Sequence, residues 1–163
     1  MNPCPCGGGA PGACQCSDAH LQRYVHRLSG PLLDRFDLRV NVHRPGVEEL
    51  LSHEPGESSA VVAERVAEAR RLAEERQGCL NSRLSGSRLD EFAPIDDAGR
   101  AVLRYELEHD RLSARGYHRI RRVARSLVDL RSAPSLQIDE EAIQVALGLR
   151  ASLNTTMRVG RVA

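Results

Sequence analysis

Ser113-Ala114-Arg115-Gly116-Tyr117-His118-Arg119-Ile120-Arg121-Arg122-Val123-Ala124-Arg125-Ser126-Leu127 is the stretch on which the fold turns. Tyr117, Ile120, Ala124 and Leu127 recur at three- and four-residue intervals, which makes one face of a helix apolar. Ser113 stands where an N-cap belongs, and the spacing predicts a helix over 113–131. The same period returns upstream at about 95–108, led by Asp96 or Pro94, and downstream at 139–149, led by Asp139, with Pro134 separating the last two. Further upstream, after Ser58, the residues Val62, Val66, Ala69 and Ala73 share a face. Glu64, Glu68, Arg71 and Glu75 lie outside it, and Gly78 is placed as a C-terminal stop. Four such helices with short connections predict a helical unit.

The first third of the chain reads differently. Residues 1–16 hold four cysteines, several glycines and Pro3, Pro5 and Pro11, so a loop or metal knuckle is expected there. Ser17 caps a helix predicted over about 18–28, Ser29-Gly30 breaks it, and Pro31 starts a further helical turn. Leu38, Val40 and Val42 alternate with Asp37, Arg39 and Asn41 and predict one short strand. Pro45-Gly46 and Pro55-Gly56 bracket a linker, and 79–94 reads as irregular. The expected organisation is 1–45, a linker at 46–56, a helical domain over 57–152 and a tail at 153–163. The fold class is mainly α.

Composition sets limits. Of 163 residues 41% are hydrophobic, but only 3% are aromatic and tryptophan is absent, so a core must come from Leu, Val, Ile and Ala. The net charge of +1 announces no nucleic-acid partner through a global field. All 23 basic residues are arginine, which removes Schiff-base and P-loop lysine chemistry. No apolar run is long enough for a membrane helix and no secretory leader opens the chain, so a cytoplasmic location is expected. The five cysteines then read as thiols or metal ligands, not as a disulfide framework.

Three groups of residues carry chemistry. Cys4, Cys6, Cys14 and Cys16 form C-x-C-x7-C-x-C. Four thiolates can close a structural zinc site with no open position, with His20 and His26 as substitutes; free thiols on a loop are the alternative. Cys79 stands apart as a thiol. Ser29-Gly30-Pro31-Leu32-Leu33-Asp34-Arg35-Phe36-Asp37 sets one arginine between two carboxylates. Its guanidinium suits phosphate oxygens, or else it pairs with Asp34 or Asp37. Residues 111–125 hold six arginines and no acid, of which Arg115, Arg119 and Arg122 share one side of the helix. They suit phosphate or a nucleic-acid backbone, or else form a solvated face paired with Glu106, Glu108 or Asp110.

Asn2-Pro3-Cys4-Pro5-Cys6-Gly7, the 29–37 segment and Leu112–Leu130 together resemble the magnesium-chelatase-like AAA+ ATPases of the YifB/ComM competence family. The resemblance runs from 1 to about 150 and implies the C-terminal end of an αβα nucleotide core followed by a helical lid. It implies sensor 1 at Asn2, the arginine finger at Arg35 and sensor 2 at Arg115, with ATP and Mg²⁺ used by the complete protein. It further implies a missing N-terminal AAA+ core, a homo-oligomeric ring of hexamer type, and ATP-dependent DNA remodelling of the kind that drives branch migration in natural transformation. No G-x-x-x-x-G-K-[ST] stands in the chain, so it is expected to be a fragment or remnant that is inactive alone. Two other readings stay open: a non-enzymatic zinc-binding interaction module, and a magnesium chelatase subunit. The resemblance counts the cysteine insertion against the latter.

Overall fold

The computed structural model describes residues 4–6, 14–27, 30–40, 42, 45–52, 55–131 and 134–151. It is mainly helical, as expected. In chain order the helices are α1 (Asp18–Val25), α2 (Gly30–Leu33), α3 (Val47–Leu51), α4 (Ser59–Gln77), α5 (Ser87–Phe92), α6 (Asp97–Glu108), α7 (Ala114–Asp129) and α8 (Glu140–Ala151). A 3-10 turn at Asn81–Arg83 lies between α4 and α5.

Caps set most of the helix ends. The side chains of Ser17, Ser58, Asp96 and Ser113 each accept a backbone N–H from the first turn of α1, α4, α6 and α7. The Asp139 carboxylate does the same for Ala142 at 2.9 Å at the start of α8. Gly78 closes α4 at φ +71, a left-handed conformation in which a side chain would be strained.

The core lies where α7 meets α8, with α6 behind α8. Ile120, Ala124 and Val128 of α7 are fully buried against Ala142, Ile143 and Ala146 of α8, Leu103 of α6, and Leu84, Leu89 and Ala93. The predicted face of α7 is correct: Ile120 and Ala124 are buried, and Tyr117 and Leu127 pack partly buried against the same cluster. α4 contributes only its end. Ala73 is buried, whereas Val62, Val66 and Ala69 are half-buried. A parallel bridge, Ile95 to Ile138, ties the segment before α6 to the segment before α8.

Three expectations need correction. The stretch 79–94 is not irregular, since it holds the 3-10 turn and α5, with Leu84 and Leu89 fully buried. Val47–Leu51, inside the expected linker, is a short helix started by Glu49, which accepts the Gly46 N–H at 2.9 Å. The strand predicted over 38–42 is absent from its described residues 38–40 and 42. A strand needs a neighbour to complete its hydrogen bonds; here Leu38, Val40 and Val42 are exposed, and the Arg39 amide bonds the Leu149 carbonyl at 2.8 Å, at the end of α8.

Candidate functional site

Cys4, Cys6, Cys14 and Cys16 converge before α1. Their four sulfurs all lie within 4.8 Å of one another. Four thiolates around a zinc at 2.3 Å in a tetrahedron would stand about 3.8 Å apart, so the cluster has the dimensions of such a site. The Cys4 and Cys6 thiols are 3.1 Å apart, and Cys6 donates to Cys14 at 3.6 Å. The Cys16 backbone draws the Cys14 thiol down. Bonding to the Cys4 and Cys6 thiols and burial outweigh that and push it up to about 12. The four cysteines form this group without His20 or His26. His20 instead lines a groove of about 500 Å³ beside Cys6 and Cys16, with Arg23, Tyr24 and Arg27. Cys79 packs against the helical core, apart from them. Asn2 lies outside the described residues.

Arg35 sits in the turn after α2, and that turn is tied to the far end of the chain. Its flanking acids do not pair with Arg35. The Asp34 carboxylate takes an ion pair from Arg150 of α8 and accepts the Ser113 hydroxyl at 3.4 Å; Arg115 approaches it at 3.9 Å. The Asp37 carboxylate accepts from Arg119 of α7 at 2.6 Å, and the same nitrogen reaches the Arg35 carbonyl at 2.6 Å. The Arg35 guanidinium is left outward. Among the described residues it reaches only the Pro31 carbonyl of its own turn, at 3.4 Å. Arg35 and Arg115, predicted sites 80 positions apart, are thus brought to one end of the molecule through Asp34. Sequence reasoning offered Asp34 or Asp37 as the alternative partner of Arg35 and did not find Arg150, a single cation at the end of a helix with no local pattern around it.

Gly116 has a steric reason at this junction. A Cβ there would stand 2.8 Å from Leu112 Cδ1 and 3.3 Å from Arg150 Nη2, so glycine lets the first turn of α7 approach the Arg150–Asp34 pair without displacing those side-chain ends.

The remaining arginines of 111–125 divide. Arg121 is buried and donates to the Leu89 and Ala93 carbonyls at 2.7 and 3.0 Å, closing the end of α5. Arg125 is buried against Asp129 and the Ser135 and Leu136 carbonyls. Arg122 holds the Leu84 carbonyl at 3.0 Å. Arg111 stands 3.7 Å from Glu106 and over the Tyr105 ring. The expected cationic stripe is therefore mostly internal scaffolding. Arg115, 59% exposed, is the member of the Arg115–Arg119–Arg122 side that faces solvent.

No helix among the described residues is long and apolar enough to cross a membrane. The family pattern described as magnesium chelatase, subunit ChlI C-terminal, matches residues 56–150, and that described as magnesium chelatase, subunit ChlI, matches residues 1–50. An uncharacterized protein of Mycobacterium tuberculosis (strain H37Rv) is 43% identical over 145 residues, covering 86% of this chain and 29% of that protein. The competence protein ComM of Haemophilus influenzae is 34% identical over 163 residues, covering 99% of this chain and 32% of its own length. The uncharacterized protein YifB of Escherichia coli is 36% identical over 153 residues, covering 93% and 30%. The chain thus spans about a third or less of these relatives.

Proposed function

The chain belongs to the magnesium chelatase ChlI family, and from that premise we propose that it supplies the phosphate-sensing arginines of a ring-shaped AAA+ ATPase. Arg35 acts as the arginine finger, reaching ATP bound by a neighbouring subunit. There it neutralises charge that develops on the phosphoryl group in transfer, a contribution worth about 10³–10⁵ in rate in other nucleotide hydrolases. Arg115 acts as sensor 2 and Asn2 as sensor 1. The ring is a homo-oligomer of hexamer type, ATP and Mg²⁺ are bound by an N-terminal AAA+ core, and the work is done on DNA, in keeping with the name of the competence relative. Residues 1–45 complete the core, 46–56 link it, and 57–152 form the lid. The phosphate-cradling loop is no part of these 163 residues, and the chain by itself neither binds ATP tightly nor hydrolyses it.

One observation carries this reading. Both acids beside Arg35 are engaged by Arg150, Arg115 and Arg119, so the Arg35 guanidinium is left outward and unpaired among the described residues. An arginine kept free of two adjacent carboxylates is placed to meet an anion from outside the chain.

The cysteine cluster supports a second element of the proposal: Cys4, Cys6, Cys14 and Cys16 hold a structural Zn²⁺ that orders the loop before α1. All four sulfurs would be ligands, which leaves no position for substrate and assigns the metal no catalytic step.

The test joins residues 1–163 behind the N-terminal two thirds of the Haemophilus influenzae relative and measures ATP turnover. Arg35→Ala is expected to remove turnover while ATP binding persists. Wild-type turnover in that variant would end the finger reading, and a joined protein that is inactive while the chain binds zinc would leave a zinc-binding interaction module as the better account.

A further inference from the structure

We infer that Arg119 and Arg150 are positioning residues for the arginine finger: from α7 and α8 they hold the backbone on both sides of Arg35, so that its guanidinium is presented away from the helical unit. This rests on the finger reading of Arg35 and gives a positioning role to two of the arginines that engage its neighbouring acids.

The turn that carries Arg35 has little to hold it in place. α2 is four residues long, too short to be stable by its own hydrogen bonds. The turn adds the bonds from the Arg35 and Phe36 amides to the Leu32 and Leu33 carbonyls, at 3.0 and 3.2 Å, and one from Arg39 Nη2 to the Leu33 carbonyl at 2.8 Å. Leu32 and Phe36 are both exposed and Leu33 is only half-buried, so apolar burial supplies limited anchoring.

The anchoring comes instead from charge. Three successive carbonyls, of Asp34, Arg35 and Phe36, each accept from a guanidinium of the helical unit. Arg119 Nη1 bonds the Arg35 carbonyl at 2.6 Å and the Asp37 carboxylate at 2.6 Å. Arg150 pairs with the Asp34 carboxylate and reaches the Asp34 and Phe36 carbonyls at 3.5 and 3.4 Å. The two clamps are themselves well housed, with side chains only 19% and 12% exposed. A planar guanidinium that meets several acceptors fixes orientation as well as distance, which a point-charge ammonium does not. The Arg39 amide closes the far end on the Leu149 carbonyl.

The consequence is kinetic. A finger acts on charge that develops in the transition state, and a displacement of about 1 Å costs on the order of 10²-fold in rate. Loosening the turn therefore lowers kcat and leaves KM for ATP unchanged, because the finger is no part of ground-state nucleotide binding.

Two measurements decide it. On the chain itself, amide hydrogen exchange is followed in the wild type, Arg119→Ala, Arg119→Lys and Arg150→Ala. Exchange at Arg35 and Phe36 is expected to rise tenfold or more in the alanine variants, with the amides of 120–128 unchanged. In the joined protein, Arg119→Ala and Arg150→Ala are expected to lower kcat by ten- to a hundredfold at constant KM, with Arg119→Lys restoring only part, and Arg35→Ala is the control. If Arg35→Ala removes turnover while both clamp variants keep wild-type kcat and wild-type exchange, the positioning role is overturned and the finger reading stands. If Arg35→Ala leaves turnover intact, the finger reading falls and takes this inference with it. Wild-type protection at Arg35 and Phe36 in both alanine variants overturns the inference whatever the joined protein does.

Discussion

Arg76, in the last turn of α4, grips Asp129 at the end of α7 with two nitrogens, at 2.8 and 2.9 Å, across 53 positions of sequence. The Asp129 carboxylate is fully buried and also accepts from Arg125 at 2.8 Å and Asn81 at 2.7 Å. Asn81 in turn accepts from Gln77 at 2.9 Å and donates to Ser126 at 3.2 Å. This network joins α4, the 3-10 turn and α7 where apolar contact is thin. Asp129→Ala leaves Arg125, 1% exposed, without its counter-charge. Breaking a buried pair in this way costs about 3–5 kcal/mol. Urea unfolding followed by circular dichroism is expected to show a loss of that size; a loss below about 1 kcal/mol would mean that α4 is held by other contacts.

The same carboxylate gives stability an acid limit. Burial alone would raise the Asp129 pKa, but hydrogen bonds from Arg76 and Asn81 and the charge of Arg125 outweigh it and hold it below its ordinary value of 3.8. Asp139 is also held low, by Arg131 and then by the Ala142 amide. As pH falls the unfolded chain takes up these protons first. The contribution is therefore complete above the ordinary carboxylate value and is lost as pH falls through it toward the folded pKa. The urea midpoint is expected to be flat between pH 7 and 5 and to drop below about pH 4, with a shallower drop in Asp129→Asn. Equal acid dependence in wild type and variant would remove Asp129 as its source.

Packing around the glycines of the helical unit separates two substitutions of identical chemistry. Alanine favours a helix interior over glycine by about 1 kcal/mol. At Gly148 a Cβ meets nothing within 4 Å, so Gly148→Ala is expected to stabilise by up to about that amount. At Gly99 it would stand 2.9 Å from Ile95 Cγ2 and 3.2 Å from Ile143 Cγ1, both on buried, β-branched side chains that cannot swing aside. Overpacking of this kind costs roughly 1–3 kcal/mol and reverses the sign. Thermal melts of the two variants should move in opposite directions, and a stabilised Gly99→Ala would mean that α6 and α8 separate more easily than their packing indicates.

What the sequence disclosed and what it hid follow from range. Ser17, Ser58, Asp96, Ser113 and Gly78 act within one helical turn of themselves, and each predicted the helix end that the structure has. The apolar face of α7 was legible for the same reason. α5 is only six residues, too short for its period to stand out, and Val47–Leu51 is shorter still. The strand expected at 38–42 followed a local alternation, but pairing is not local, and no neighbouring strand is present among the described residues. Asp129 and Asn81 lie 48 positions apart, and Asp34 and Arg150 lie 116 apart, so no spacing rule could join them. Counting six arginines in 111–125 suggested a charged surface; burial of Arg121 and Arg125 was invisible to the count.

The cysteines allow a chemical test of the proposed metal. Five are present, and none is in a disulfide. If zinc is held by Cys4, Cys6, Cys14 and Cys16, a thiol reagent should find one reactive sulfur, Cys79, in the zinc-loaded chain and five after chelation. Cys4→Ser, which replaces the most buried of the four, should lower bound zinc well below one per chain. Five reactive thiols both before and after chelation would mean free cysteines.

Exposure and partners separate the arginines that build the molecule from those that can act outside it. Arg121 puts its guanidinium under the end of α5, where it bonds the Leu89 and Ala93 carbonyls and the Asp90 carboxylate and lies 5.3 Å from the Tyr117 ring centre. Arg121→Ala takes the Arg121 donor from the buried Ala93 carbonyl and from the Leu89 carbonyl, which keeps the Ala93 amide, and charge-assisted bonds of this kind are worth about 1.5–3 kcal/mol each. A loss of roughly 2–4 kcal/mol is expected. Arg35 and Arg115 have no comparable internal duty: one reaches a carbonyl of its own turn at 3.4 Å, and the other stands 3.9 Å from Asp34 with its side chain more than half exposed. Replacing either with alanine is expected to move stability by no more than about 0.5 kcal/mol. Urea unfolding of the three variants side by side checks this. A stability loss at Arg35 as large as at Arg121 would mean that Arg35 is a structural residue, and its outward position could no longer be read as preparation for an external anion.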